Sequence, residues 1–122
     1  MGLDQYAYHR RRGDLPEHKE EICYWRKHNR LEGWMEELYR RKTGDMEESF
    51  NCKELELTVE DLDQLEATIL DRNLPATKGF FFGDDSYTDY EEGYKETDLE
   101  FIQKSKDALN SFGGIIIYTS WW

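Results

Sequence analysis

Ser111-Phe112-Gly113-Gly114-Ile115-Ile116-Ile117-Tyr118-Thr119-Ser120-Trp121-Trp122 is the stretch that decides the fold, because its two halves demand different secondary structure. The paired glycines stop a helix and turn the chain. The β-branched and aromatic run from Ile115 to Trp122 then reads as a buried strand. Working back, residues 89–111 form a predicted helix burying Tyr94, Leu99, Ile102 and Leu109. Before it, Phe80-Phe81-Phe82 between Gly79 and Gly83 reads as a short buried strand. Thr58, with Asp61 three positions on, is the N-cap of a helix that buries Leu62, Leu65 and Ile69 and stops before Asn73-Leu74-Pro75. Cys52 to Leu57 places Leu55 and Leu57 on one strand face. Residues 17–42 read as one long helix opened by Pro16, with Tyr24, His28, Leu31, Met35 and Leu38 at three- and four-residue steps. Residues 3–9 alternate as a strand should. The predicted order is β-α-β-α-(β)-α-β, an α+β fold in which one small sheet is packed by three helices, as a single domain over 1–122.

Composition narrows the class. Hydrophobic residues make up 38% of the 122 and aromatic residues 15%, too aromatic for a disordered acidic tail. No stretch approaches the roughly 20 apolar residues that span a bilayer. The start, Met1-Gly2-Leu3-Asp4-Gln5-Tyr6, has no signal-peptide apolar run. Cys23 and Cys52 suit free thiols in a reducing compartment, so a cytoplasmic protein with no membrane contact is expected.

The charge is unevenly placed. Residues 1–44 carry 10 Lys/Arg against 8 Asp/Glu, whereas residues 45–122 carry 6 against 19. Asp84, Asp85, Asp89, Glu91, Glu92, Glu96, Asp98 and Glu100 crowd one short segment with Lys95 as its sole base. Such a face repels nucleic acid and attracts proteins that bind nucleic acid, or it is simply a solvated surface. Arg10, Arg11, Arg12, Arg26, Lys27, Arg30, Arg40, Arg41 and Lys42 could form a basic strip, but acids interleave and the sequence pI of about 4.7 opposes direct nucleic-acid binding.

Catalytic motifs are missing. Gly79-Phe80-Phe81-Phe82-Gly83 lacks the Lys-Ser/Thr of a phosphate-binding loop, and no G-x-S-x-G nucleophile element occurs. A non-enzymatic protein is expected. Metal ligation would draw on Cys23, His28 and Cys52, yet Cys23 and His28 stand five residues apart, about 140° around a helix. The competing reading makes both cysteines small core residues. No cofactor is expected, with a structural zinc as the alternative.

The M-G-L-D-x-Y start, Tyr24-Trp25-Arg26-Lys27-x-Asn29 with Trp34, Gly79-Phe80-Phe81-Phe82-Gly83 and the Tyr118-x-Ser120-Trp121 end recur together in one order. In this the chain resembles a family of small proteins encoded by phages, prophages and other mobile elements. It departs from that pattern at Glu32, where relatives carry histidine. The resemblance implies a phage-against-host setting, in which small acidic proteins include anti-CRISPR proteins. With the charge map it yields an expected function: an inhibitor that docks an acidic face on the basic channel of a CRISPR effector nuclease and blocks DNA loading, through DNA mimicry or another surface contact. The expected partner-binding residues are Asp84, Asp85, Asp89, Glu91, Glu92 and Glu96, with Tyr87 and Tyr90 as anchors or, equally, as packing for their own helix. The alternatives are a homo-oligomeric accessory phage protein and a small zinc protein.

Overall fold

A computed structural model describes residues 2–15, 17–75 and 87–122, with the backbone alone given for Thr88 and Asp89. Its elements are β1 (Asp4–Arg10), β2 (Glu20–Arg26), α1 (Asn29–Thr43), β3 (Glu54–Leu57), α2 (Val59–Leu70), α3 (Tyr87–Gly93), α4 (Lys95–Phe112) and β4 (Ile115–Trp121). The four strands form one antiparallel sheet in the order β2-β1-β4-β3, so the fold is α+β as expected. Pairing Ala7 with Cys23 and Tyr118, and Tyr118 with Leu55, fixes the register across all four strands. Because side chains alternate, that row together with Gln5, His9, Trp25, Leu57, Ile116 and Ser120 forms one face. The core lies on this face, where Trp25 meets Phe101 edge-on at 4.9 Å and Leu31, Met35, Leu62, Leu65 and Ile102 are fully buried.

The predicted helix over 17–42 divides. Its first part is β2, paired to β1, and only Asn29–Thr43 is helical. A register shift opposite Ala7 and Tyr8 adds a residue to β2. That bulge breaks the two-residue alternation across Ile22-Cys23-Tyr24-Trp25 and lets the segment imitate a helical stripe. Lys27, at φ 56°, then turns the chain between strand and helix. The predicted helix over 89–111 also divides, at Gly93-Tyr94, giving four helices among the described residues. The strand expected from Cys52 begins at Glu54, because Cys52 adopts φ 65°. Pro16 and the Phe80-Phe81-Phe82 strand lie outside the described residues. Among the described residues no helix is long and apolar enough to cross a membrane.

Two boundary signals act as read. Gly114 has φ +84°, and a Cβ there would sit 1.9 Å from the Arg10 carbonyl oxygen, so only glycine fits the turn into β4. Thr58 Oγ1 accepts from the Asp61 N–H at 3.1 Å, and Asp61 Oδ2 accepts from the Thr58 N–H at 2.9 Å. The Asp61 carboxylate also binds Lys42. Burial opposes ionisation of Asp61, but Lys42 and the Thr58 donors outweigh it and hold the carboxyl below its usual range. Thr58→Ala should lower the urea-unfolding free energy by about 1 kcal/mol, since it removes only one half of this capping box.

Candidate functional site

The carboxylates expected on one face divide between surface and core. Glu92, Glu96 and Glu100 are exposed, and none has a cationic partner among the described residues. Glu96 and Glu100 lie one turn apart on α4, so their repulsion is left standing on the surface. Glu91 is different, because Arg72 at 3.2 Å and Lys95 at 3.5 Å neutralise it within the chain. A shallow groove of about 410 Å³ runs between Glu91, Lys95, Glu96, Leu99, Glu100 and Gln103. Asp84, Asp85 and the side chain of Asp89 lie outside the described residues.

The two tyrosines, read as anchors or equally as packing for their own helix, are engaged inside the chain. Tyr87 donates its hydroxyl to the Ile69 carbonyl oxygen at 3.1 Å, and its ring lies under Arg30 at 4.9 Å and Arg72 at 5.3 Å. Tyr90 is buried and donates to Asp98 Oδ2 at 2.8 Å. Burial, together with the neighbouring Asp98, pushes its phenol far up.

Asp98 itself is fully buried and organises the largest feature that sequence reading missed. Trp25 Nε1–H donates to its Oδ1 at 2.8 Å, and His28 Nε2 lies 2.6 Å from its Oδ2. The His28 ring stacks on Tyr94 at 4.6 Å with planes 6° apart. The His28 backbone continues the network: its N–H donates to Gln5 Oε1 at 2.8 Å and its carbonyl accepts from Gln5 Nε2 at 2.9 Å. Gln5 Nε2 also donates to the Tyr118 hydroxyl at 2.9 Å. Tyr118 in turn donates to Glu32 Oε1 at 2.6 Å, and the Ser120 hydroxyl donates to Glu32 Oε2 at 2.9 Å. Burial pushes the Glu32 carboxyl up to about 7, outweighing the two hydroxyls that favour its charged form.

Tyr94, stacked on this network, is partly buried, and none of the side chains that hydrogen-bond within it is more than 4% exposed. A substrate therefore reaches none of them in this conformation, and what the network does is join α1, α3 and α4 to the sheet. Its signal in the sequence is periodicity. Asp98 shares a helical stripe with Phe101, Ile102 and Ser105, and Glu32 shares one with His28, Met35 and Tyr39. A carboxylate within an apolar stripe belongs to the core.

The metal candidates stand apart. Cys23 is half-buried in β2, and burial pushes its thiol up to about 12, which disfavours the thiolate a metal or an electrophile needs. The Cys52 N–H donates to the Ser120 carbonyl oxygen on the far side of β4, which places Cys52 three strand spacings from Cys23, on the order of 14 Å. His28 is committed to Asp98. Among the described residues no three His, Cys, Asp or Glu side chains converge in a group fit for a metal ion. The proposed basic strip disperses too. Arg30 is buried and donates to the Leu74 carbonyl oxygen, Arg40 pairs with Glu36, Lys42 binds Asp61, and Arg11 lies over Phe112. No known protein family, curated protein or solved structure matches the chain.

Proposed function

We propose that this chain is a non-enzymatic inhibitor that presents acidic helical surface to a basic nucleic-acid channel, and that its partner is a CRISPR effector nuclease whose DNA loading it blocks. The observation that carries this reading is the row of exposed carboxylates on α3 and α4, Glu92, Glu96 and Glu100, left without cationic partners among the described residues. Unpaired carboxylates in a chain of net charge −11 give a long-range attraction toward Lys/Arg surfaces that hold phosphates. The resemblance to small mobile-element proteins supplies the setting. Asp84, Asp85 and Asp89 belong to the same acidic segment of the sequence and extend the proposed contact.

The test is a target-DNA binding assay with a purified, RNA-loaded nuclease, adding the protein before or after the DNA. Inhibition only on prior addition, weakening steeply with salt, is the expected result. Reversing Glu92, Glu96 and Glu100 together to lysine should reduce inhibition by about 100-fold or more, given the 2–5 kcal/mol that lost or reversed interface charges cost. Inhibition that survives this reversal, or an absence of inhibition across effector types, would refute the reading.

A further inference from the structure

The described helices pack on one side of the sheet, so its other face carries Asp4, Tyr6, Tyr8, Tyr24, Thr119 and Trp121 with no helix over them, while Ile117 on the same face is buried. At one end of that face a carboxylate stands among aromatic rings. Tyr24 donates its hydroxyl to Asp4 Oδ1 at 2.5 Å, and Tyr6, two residues on, meets the Tyr24 ring at 5.2 Å. Trp121 is directly opposite Asp4 in the register. Trp121 is 59% exposed and Tyr24 44%, so both rings are open to a partner. A cleft of about 450 Å³ opens here between Gly2, Asp4, Arg26, Trp121 and Trp122. Arg26, directly opposite Asp4 in the register, lays its guanidinium against Gly2 and makes no ion pair with Asp4.

Rings and a carboxylate around an open cleft are the chemistry that holds an organic cation, since the ring faces and the acid attract the same charge. The same sheet face already holds one. The Lys19 ammonium lies 4.6 Å from the Tyr8 ring centre and 3.6 Å from Glu54 Oε2, a cation between a ring and an acid. Size and charge then decide the kind of occupant. Three strands of seven residues and one of four span roughly 400 Å², about half of the ~800 Å² that each partner of a stable complex buries. A second copy seated on this face alone is undersized and brings a like charge of −11. Nucleic acid is repelled for the same reason. A single basic segment fits.

We infer that the cleft between Asp4 and Trp121 receives an arginine side chain from a basic segment of a partner protein. This deepens the proposed function, because it gives the acidic chain a second, chemically specific grip on a basic partner. The cleft lies on the open sheet face, whereas the acidic groove lies between residues of α3 and α4.

The experiment uses the full chain, isotopically labelled, titrated with a short alternating Gly/Arg peptide and followed by NMR. Shifts should concentrate on the Trp121 indole, Tyr24, Tyr6 and Asp4. Trp121→Ala and Asp4→Asn should each weaken peptide binding by about threefold to tenfold, with far-UV circular dichroism unchanged. Reversal of Glu92, Glu96 and Glu100 should leave this site's affinity within about twofold even if it abolishes nuclease inhibition. Peptide binding at Trp121 without any nuclease inhibition would sink the proposed function and keep this inference. Shifts confined to α3 and α4, indifference to both cleft variants, self-association through Trp121 in sedimentation, or equal binding of oligodeoxythymidylate at the same residues would each overturn the inference.

Discussion

Asp98→Ala should destabilise the protein by about 3–5 kcal/mol in urea unfolding at neutral pH, the range for breaking a buried charged or hydrogen-bonded pair by removing one partner. Asp98 is fully buried, yet three elements besides its own helix hand it a polar group: Trp25 from β2, Tyr90 from α3 and His28 from the start of α1. Truncation strands the Trp25 N–H and the Tyr90 O–H in a dry core, at about 1–3 kcal/mol for each unsatisfied group. It also opens a small cavity beneath the Trp25–Phe101 contact. Asp98→Asn keeps the volume and one acceptor, so its loss should be about half as large. An Asp98→Ala loss below about 1 kcal/mol would mean that the donors find water instead, and the claim that Asp98 ties the helices to the sheet would fall.

The sequence was most legible where a local signal acts alone. The Thr58 capping box, the α2 stripe of Leu62, Leu65 and Ile69, and the Gly113-Gly114 turn into β4 stand where local rules place them. Reading failed where tertiary pairing overrides local pattern. The β2 bulge hid a strand within an apparent helix, because one extra residue converts two-residue alternation into spacings that a helix also satisfies. The acidic segment failed for a different reason. Counting carboxylates weighs all of them as surface charge, whereas helical phase separates exposed Glu92, Glu96 and Glu100 from buried Asp98 and ion-paired Glu91. Phase also turned Tyr90 inward. The cleft was invisible in the sequence because Asp4, Arg26 and Trp121 come from three strands, and only their register makes them neighbours.

That separation has consequences for how the acidic surface works. The chain keeps two sets of carboxylates: a solvated set, which the proposed function turns toward a basic partner, and a buried set bound to hydroxyl, indole and imidazole groups. Surface charges repel one another without reward in the free protein. The helices bearing them, α3 and α4, are held by the buried network through Asp98, and α1 is held through Glu32 and the His28 backbone. Losing the network should therefore disorder the acidic face before it changes any exposed residue, so binding variants need a stability measurement beside them.

Glu32 makes that stability depend on pH, and in the direction opposite to a salt-bridged acid. Its carboxyl is pushed from 4.5 up to about 7 by burial, so between those values the folded chain retains a proton that the unfolded chain has released. Stability on this account is greatest below about pH 4.5, falls as pH rises toward about 7, and is level above it. The gap corresponds to about 3 kcal/mol across the window. Gln is a close stand-in for the protonated acid, with a carbonyl to accept from Tyr118 and an amide that the Ser120 hydroxyl oxygen accepts from once it rotates. Glu32→Gln should therefore be at least as stable as the parent at pH 8 and should lack most of the fall between pH 5 and 7.5. The net charge of −11 adds its own loss of stability as pH rises, but that repulsion is nearly the same in both proteins and cancels in their difference. Urea unfolding of the pair at several pH values isolates the Glu32 contribution. Parallel curves would show that this carboxyl ionises in the fold as readily as in water, and that the hydroxyls of Tyr118 and Ser120 offset its burial.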